Sequence, residues 1–385
     1  MHAYCLDDLR KAAERRIPKI VYDFVAGGAG YDTGVRENVD AFDRIRLIPR
    51  ALVDITEIDL SRELFGRRWS LPFGFAPVGY ANLIWPGADL ALAKAAVAAN
   101  IPYSLSTAGS TSIEGIAEAA PKNAWFQLYV LKDDRLNDDL LARAEAAGNE
   151  VLLVTVDVPV NARRLRNLRN GFSLPLRPTP AMAIDFARRP AWCLAHARAG
   201  IPTLGNMQRY APPRSSAFAV ISIFATHGCG RLDWSVLAHI RKRWPRRLVV
   251  KGLLAPEDAV RAREIGVDGV LVSNHGGREL EGSIATIEAL PVIRAAVGPD
   301  FPVLLDSGIR SGEHILKALA AGATFVLVGR AAMYAVGAAG AKGAGTIIDI
   351  FRQEMLNVAA HLGVVSMDQL SPAYLRYPPY KSANG

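Results

Sequence analysis

The chain has 385 residues, half of them hydrophobic and 21% charged, so a large packed core is expected and disorder is excluded. The net charge of +8 admits anionic substrates, a phosphate-bearing cofactor or a membrane surface, while nucleic acid ranks last because no Lys/Arg run is interleaved with aromatics along a helix. Cys5, Cys193 and Cys229 lie too far apart for a metal motif or a disulfide framework, the first 20 residues are too charged for a secretory signal, and no apolar run reaches transmembrane length, so a cytoplasmic chain without a metal site is expected.

In chain order, residues 6–17 carry an amphipathic helix pattern closed by Pro18. A second helix spans Lys19 to Ala26 and stops at Gly27-Gly28; a third covers roughly Thr33 to Ile45. Residues 1–71 therefore read as a helical N-terminal segment packing on the barrel-like region after it, with Leu47 to Leu71 as its link.

The rhythm then changes. Apolar, β-rich runs occur at Pro72–Pro77, Pro102–Thr107, Ala124–Val130, Glu150–Asp157, Leu248–Lys251, Gly269–Ser273, Pro302–Asp306 and Phe325–Gly329. Helical, Ala-rich stretches lie between most of them: Asp89–Ala99, Ser112–Ala119, Asn137–Ala147, Pro256–Ile265, Ile284–Val297 and Gly312–Ala320. Continuous apolar strands are buried on both faces, so a (β/α)₈ TIM barrel over residues 72–362 is the economical reading. A doubly wound open sheet is less favoured, because no G-x-G-x-x-G follows the first strand. Helix Ile347–Ala360 completes the barrel, and 363–385 form a tail without clear pattern.

One connection breaks the pattern: about ninety residues separate strands four and five, and loops that long are usually functional or mobile. Within this insertion, a loop at about 175–225 is expected to be mobile or to dock. Arginines 177, 188, 189, 198, 209 and 214 face a single acid there, Asp185, with Trp192, Leu194, Ile201 and Leu204 nearby. A lid, a basic patch docking on anionic lipid, and an ordinary solvated loop all stay open.

Barrel enzymes carry their chemistry at the C-terminal ends of the strands. Here those ends are polar: Ala76-Pro77, Ser106-Thr107, Gln127, Tyr129, Thr155, Asp157, Lys251, Ser273 to Arg278, Asp306-Ser307-Gly308 with Arg310, and Gly329-Arg330. An isolated Ser273-Asn274-His275-Gly276-Gly277-Arg278 would be an ordinary turn with a solvated Arg. Among so many polar strand ends, it reads as a proton-taking imidazole beside a guanidinium that holds an anion.

Asp157 ends strand four with the same parity as strand six, so it can reach and orient His275; capping the following turn is its competing role. The Gly/Arg sets after strands seven and eight look like a phosphate site, with backbone N–H groups and a helix N-terminus facing the anion. Lys251 suits a Schiff base, a phosphate contact or a fixed cation, and nothing local chooses. Tyr129 suits a substrate oxygen or the core wall. One arginine of the run Arg163-Arg164-Leu165-Arg166 suits a second anion clamp.

Phe126-Gln127-Leu128-Tyr129, Thr155-Val156-Asp157, Val250-Lys251-Gly252, Ser273–Arg278 and Asp306-Ser307-Gly308-Ile309-Arg310 together resemble the FMN-dependent L-2-hydroxy acid oxidase/dehydrogenase family, over nearly the whole chain. Trp85-Pro86, Asp89–Ala93 and Lys251–Leu254 resemble its (S)-mandelate dehydrogenase branch; Phe24–Gly30 and Arg164–Phe172 also resemble its 4-hydroxymandelate oxidase branch.

The resemblance implies FMN, with His275 as base and Asp157 as its partner. It implies Arg278 and Arg164 on the substrate carboxylate and Tyr129 on the substrate oxygen. Ala76, Pro77, Val78, Ser106, Gln127, Thr155 and Ser273 would contact the flavin ring or ribityl chain, with Lys251 near the pyrimidine end. Asp306, Gly308, Arg310, Gly329 and Arg330 would hold ribityl and phosphate.

Two positions depart from the family pattern. Phe24 replaces a Tyr that touches the carboxylate, a loss of about 1 kcal/mol. Ala108 stands where short-chain oxidases carry a bulky Trp. Both changes widen the pocket and make it less polar, which favours an aromatic, mandelate-like (S)-2-hydroxy acid. L-lactate or another aliphatic acid, an amine or modified peptide, and a non-redox phosphate-binding isomerase or aldolase are the alternatives. The electron acceptor is a quinone or carrier protein, or oxygen. A homo-oligomer, as a homotetramer, and peripheral contact with the inner face of the cell membrane complete the expectation.

Overall fold

The computed structural model describes residues 2–173, 179–228 and 230–377. Arg177, Cys229 and tail residues 378–385 lie outside them. Eight parallel strands close into a barrel: β1 (Phe73–Phe75), β2 (Tyr103–Ser106), β3 (Ala124–Tyr129), β4 (Val151–Thr155), β5 (Arg247–Leu253), β6 (Gly269–Val272), β7 (Val303–Leu305) and β8 (Phe325–Val328). Each pairs with its sequence neighbour, and β8 returns to β1 through Val326 opposite Phe73.

Period-two geometry sorts the side chains. Trp125, Val151, Leu153, Val249, Leu271, Leu304, Phe325 and Leu327 fill the inside of the barrel. Continuing each strand two residues at a time from those positions reaches Gln127 and Tyr129, Thr155 and Asp157, Lys251, Ser273 and His275, Asp306 and Gly329. The alternation that builds the core therefore also aims the polar residues into the barrel mouth. The opposite parity, including Leu152, Val154, Val250 and Val272, packs under the surrounding helices.

Residues 47–71 are more than a link. Strands Arg62–Leu64 and Arg67–Trp69 form an antiparallel hairpin. Its Phe65 and Trp69 close the barrel floor against Trp125, with ring centroids 6.4 and 6.2 Å apart. Gly66 at φ +78 makes the tight turn possible.

The N-terminal helices are α1 (Leu6–Arg16), α2 (Lys19–Ala26) and α3 (Thr33–Arg44). α1 lies on a helix that its Ala/Gly-rich sequence concealed, Arg330–Ala339, which precedes Ala341–Leu362. At Gly337 an added Cβ would stand 3.3 Å from that of Ala13, so small residues permit the close approach.

α3 reaches the turn after β6. Asn38 and Asn274 exchange two amide hydrogen bonds, each 2.8 Å, and both are buried. Gly277 sits at φ +71, where an added Cβ would come within 2.5 Å of the Gly34 carbonyl carbon.

The expected 177–215 loop is largely helical where described, with Pro180–Ala187 and Pro190–Ala199 followed by Ala217–His227. Trp192 and Leu204 are buried rather than facing outward. Trp192 Nε1–H donates to the carbonyls of Leu83 and Ile84, both at 3.2 Å, and anchors the segment to the barrel rim. No helix among the described residues is long and apolar enough to cross a membrane.

Candidate active site

The mouth of the barrel opens into a cavity of about 860 Å³. Phe24, Ala76, Pro77, Val78, Ala108, Tyr129, Arg164, Lys251, His275, Arg278, Asp306, Gly308, Arg310, Gly329 and Arg330 all line it. Asp157 stands behind His275. Ser106, Gln127, Thr155 and Ser273 form a buried layer beneath the cavity instead of lining it. Ser106 Oγ donates to Gln127 Oε1 at 2.8 Å, and Gln127 Nε2 donates to Thr155 Oγ1 at 2.9 Å.

His275 has a left-handed backbone, φ +57, which costs a non-glycine residue of order 1 kcal/mol. Side-chain oxygens hold the N–H groups of the turn: His275 N–H donates to Ser273 Oγ at 3.1 Å, Gly276 N–H to Ser307 Oγ at 2.9 Å, and Gly277 N–H to Asn274 Oδ1 at 3.0 Å. His275 Nδ1 lies 2.8 Å from Asp157 Oδ1, and Nε2 lies 3.2 Å from the Tyr129 hydroxyl.

Burial alone would raise the Asp157 pKa, but the Lys251 ammonium and then His275 outweigh it and hold it at about 2. The carboxylate is thus ionised and only accepts, which puts the imidazole proton on Nδ1 and leaves Nε2 toward the cavity.

Lys251 Nζ donates to Ser273 Oγ at 2.9 Å and Asp157 Oδ2 at 3.3 Å, with Asp306 Oδ2 at 3.8 Å. Burial opposes its charge, yet Asp157 and Asp306 push its pKa above the ordinary lysine value. These two carboxylates keep Lys251 cationic and therefore a poor amine nucleophile, which narrows its open roles to a fixed cation. Asp157 fits this close because β5 is irregular at Gly252, φ +110, where a Cβ would meet the Asp157 side chain at 2.6 Å.

Arg278 Nη1 donates to the carbonyls of Phe24 and Gly27 at 2.9 and 2.8 Å, and its guanidinium carbon stands 5.3 Å from the Phe24 ring centre. Burial, then the neighbouring Arg164 and Arg330, depress its pKa strongly, so the site has an excess of positive charge. Arg164 pairs with Glu279 and donates through Nε to the Arg278 carbonyl at 3.3 Å.

Arg310 and Arg330 have no carboxylate partner among the described residues. Arg330 donates to the carbonyls of Val25, Gly27 and Gly276 at 2.8–3.0 Å, and burial together with Arg310 pushes its pKa down to about 10. Two unneutralised guanidiniums beside the Gly308 and Gly329 turns suit a bound phosphate. The helix start facing the cavity is that of Arg330–Ala339. The N-terminus of Gly312–Ala320 is already taken, by Glu354 on Gly312 N–H at 2.6 Å and Ser311 on His314 N–H at 3.2 Å.

A family model described as FMN-dependent dehydrogenase matches residues 13–377. The chain belongs to that family. An FMN-dependent dehydrogenase therefore places this imidazole, these cations and this phosphate-suited rim around one cavity. The chain is 38% identical to (S)-mandelate dehydrogenase of Pseudomonas putida over 96% of its own length and 93% of the relative's. It is equally 38% identical to L-lactate dehydrogenase of Pseudomonas syringae pv. syringae, over 96% and 97%. A crystal structure of the monotopic membrane protein (S)-mandelate dehydrogenase superposes with a TM-score of 0.95 at 38% identity, covering 98% of this chain and all of that one.

Several lining residues escaped the sequence reading. Phe172 stacks on Phe24 with centroids 4.9 Å apart, and Phe224 approaches Tyr129 at 6.3 Å. Ile221, Lys132 and Glu279 also line the cavity. Phe224 and Ile221 sit on an apolar helix inside the long connection, whose mean composition gives no sign of which face turns inward. Glu279, next to Arg278, had only its adjacency to point to it.

Proposed function

We propose that the chain oxidises an (S)-2-hydroxy acid with an aromatic side group to the 2-oxo acid. The observation that carries this reading is one cavity lined by a carboxylate-held imidazole, two guanidiniums and the rings of Phe24, Phe172 and Phe224. Arg278, with Arg164, binds the substrate carboxylate. His275 Nε2 takes the proton released from the hydroxyl or the α-carbon. Asp157 holds the other ring proton and stabilises the resulting imidazolium. Tyr129 hydrogen-bonds the reacting oxygen; burial raises its pKa, so it stays protonated and donates.

Arg310, Arg330, Asp306, Gly308 and Gly329 would hold the phosphate and ribityl of FMN. Ala76, Pro77, Val78 and the layer of Ser106, Gln127, Thr155 and Ser273 would support the ring, with Lys251 as a fixed cation beside it. When bound, FMN accepts the two electrons that leave the substrate carbon. The rings of Phe24, Phe172 and Phe224 in the lining and the absence of a hydroxyl at Phe24 favour a mandelate-like acid over lactate. The equal identity to an L-lactate dehydrogenase keeps the aliphatic reading as the second one. Measuring 2-oxo acid formation from both acids decides, with comparable kcat/KM counting against the aromatic assignment.

A membrane quinone is the proposed electron acceptor, and the surface supports it. Ile184, Leu194, Ile201 and Phe218 are exposed along the long connection, among exposed Arg188, Arg198, Arg209 and Arg214. Apolar tips among cations suit peripheral docking on anionic lipid and a membrane quinone. Oxygen uptake with and without an artificial acceptor, and co-sedimentation with anionic vesicles, test this. A homotetramer is the proposed assembly, to be checked by solution mass.

A further inference from the structure

The cavity wall carries a carboxylate that the proposed reaction does not use. Glu279 follows Arg278 directly, lines the same cavity, and has a side chain only 8% exposed. Its Oε1 accepts from Arg164 Nη2. Its Oε2 is buried with no hydrogen-bond partner among the described residues. A buried carboxylate oxygen without a donor is costly, and the cost recurs in every folded molecule. One of the two guanidiniums that face the substrate is thus already claimed by an internal anion.

We infer that Glu279 sets substrate specificity by competing with the substrate carboxylate for Arg164. This rests on the reading of the cavity as a hydroxy-acid site. An incoming monoanion must draw Arg164 away from Glu279 or share it, while Arg278 remains bound to the backbone carbonyls of Phe24 and Gly27. Glu279 therefore weakens the hold on a ligand carboxylate and leaves neutral ligands untouched.

The test uses phenylacetate, which has the carboxylate and ring but no hydroxyl to oxidise, and phenylacetamide, its neutral isostere. Both are titrated into the flavin-loaded wild type and Glu279→Gln, which keeps the hydrogen bond to Arg164 and removes the charge. The expected result is phenylacetate binding about fivefold tighter in Glu279→Gln with phenylacetamide unmoved. Glu279→Asp retains the charge and falls between the two, and serves if the Gln variant does not fold.

Unchanged or weaker phenylacetate binding, or equal shifts for acid and amide, overturns the inference. So does a wild type that binds no phenylacetate. A tightened acid with no hydroxy acid turned over would instead uphold competition at Arg164 and sink the proposed reaction.

Discussion

His275 Nδ1 and Asp157 Oδ1 lie 2.8 Å apart, joining the turn after β6 to the turn after β4 across the barrel mouth. The pairing fixes which imidazole nitrogen faces the cavity. Asp157→Asn removes the charge that, in the proposed reaction, stabilises the imidazolium. It should lower kcat by roughly 10²–10⁴-fold with KM nearly unchanged, read by steady-state kinetics.

Asp157 also links stability to pH. Its folded pKa of about 2 lies below the usual carboxylate value near 3.9. A depressed carboxylate stabilises the fold above its unfolded pKa, and that contribution is lost as pH falls through the folded pKa. Urea midpoints attributable to this group should hold flat down to about pH 5 and decline below about pH 4; Asp157→Asn should flatten the decline.

Lys251 lies among Asp157, Asp306 and Ser273. Lys251→Met leaves two buried carboxylates without their shared cation. A loss of about 3–5 kcal/mol is expected in chemical denaturation, with weakened flavin retention.

Ala108 is buried at the cavity wall beside Gly79, where an added Cβ would lie 3.0 Å from the Ala108 methyl. Ala108→Trp should lower kcat/KM for mandelate at least about tenfold and spare lactate, because the added indole takes up cavity space that a phenyl side group needs and a methyl does not. Parallel losses for both acids would contradict that placement.

The reciprocal Asn38–Asn274 amide pair ties α3 to the strained His275 turn. Asn38→Asp deletes one donor and sets two oxygens face to face. The expected cost is about 1–3 kcal/mol in denaturation, with kcat lowered more than KM is raised.

The barrel was legible because its strands are continuous apolar runs and its helices are regular: Pro256–Ile265 and Gly312–Ala320 have the bounds that the pattern indicates. His275, Asp157 and Lys251 were legible because strand parity aims them into one mouth. Arg330–Ala339 was not, since a helix rich in Ala and buried from Ala331 to Ala338 has no polar face to mark it. The floor hairpin was hidden by its brevity and its arginines. Glu279 and Asn38 act through partners far along the chain, and no local spacing encodes such pairs.

The most direct measurement is anaerobic titration of the yellow protein with (S)-mandelate, followed at the flavin absorbance, in wild type and His275→Asn. The wild type should bleach at one equivalent and release phenylglyoxylate, while His275→Asn keeps its colour although it still binds the acid. A wild type that stays yellow, or a variant that bleaches as fast, would contradict the assignment of His275 as the base that works on a hydroxy acid in this cavity.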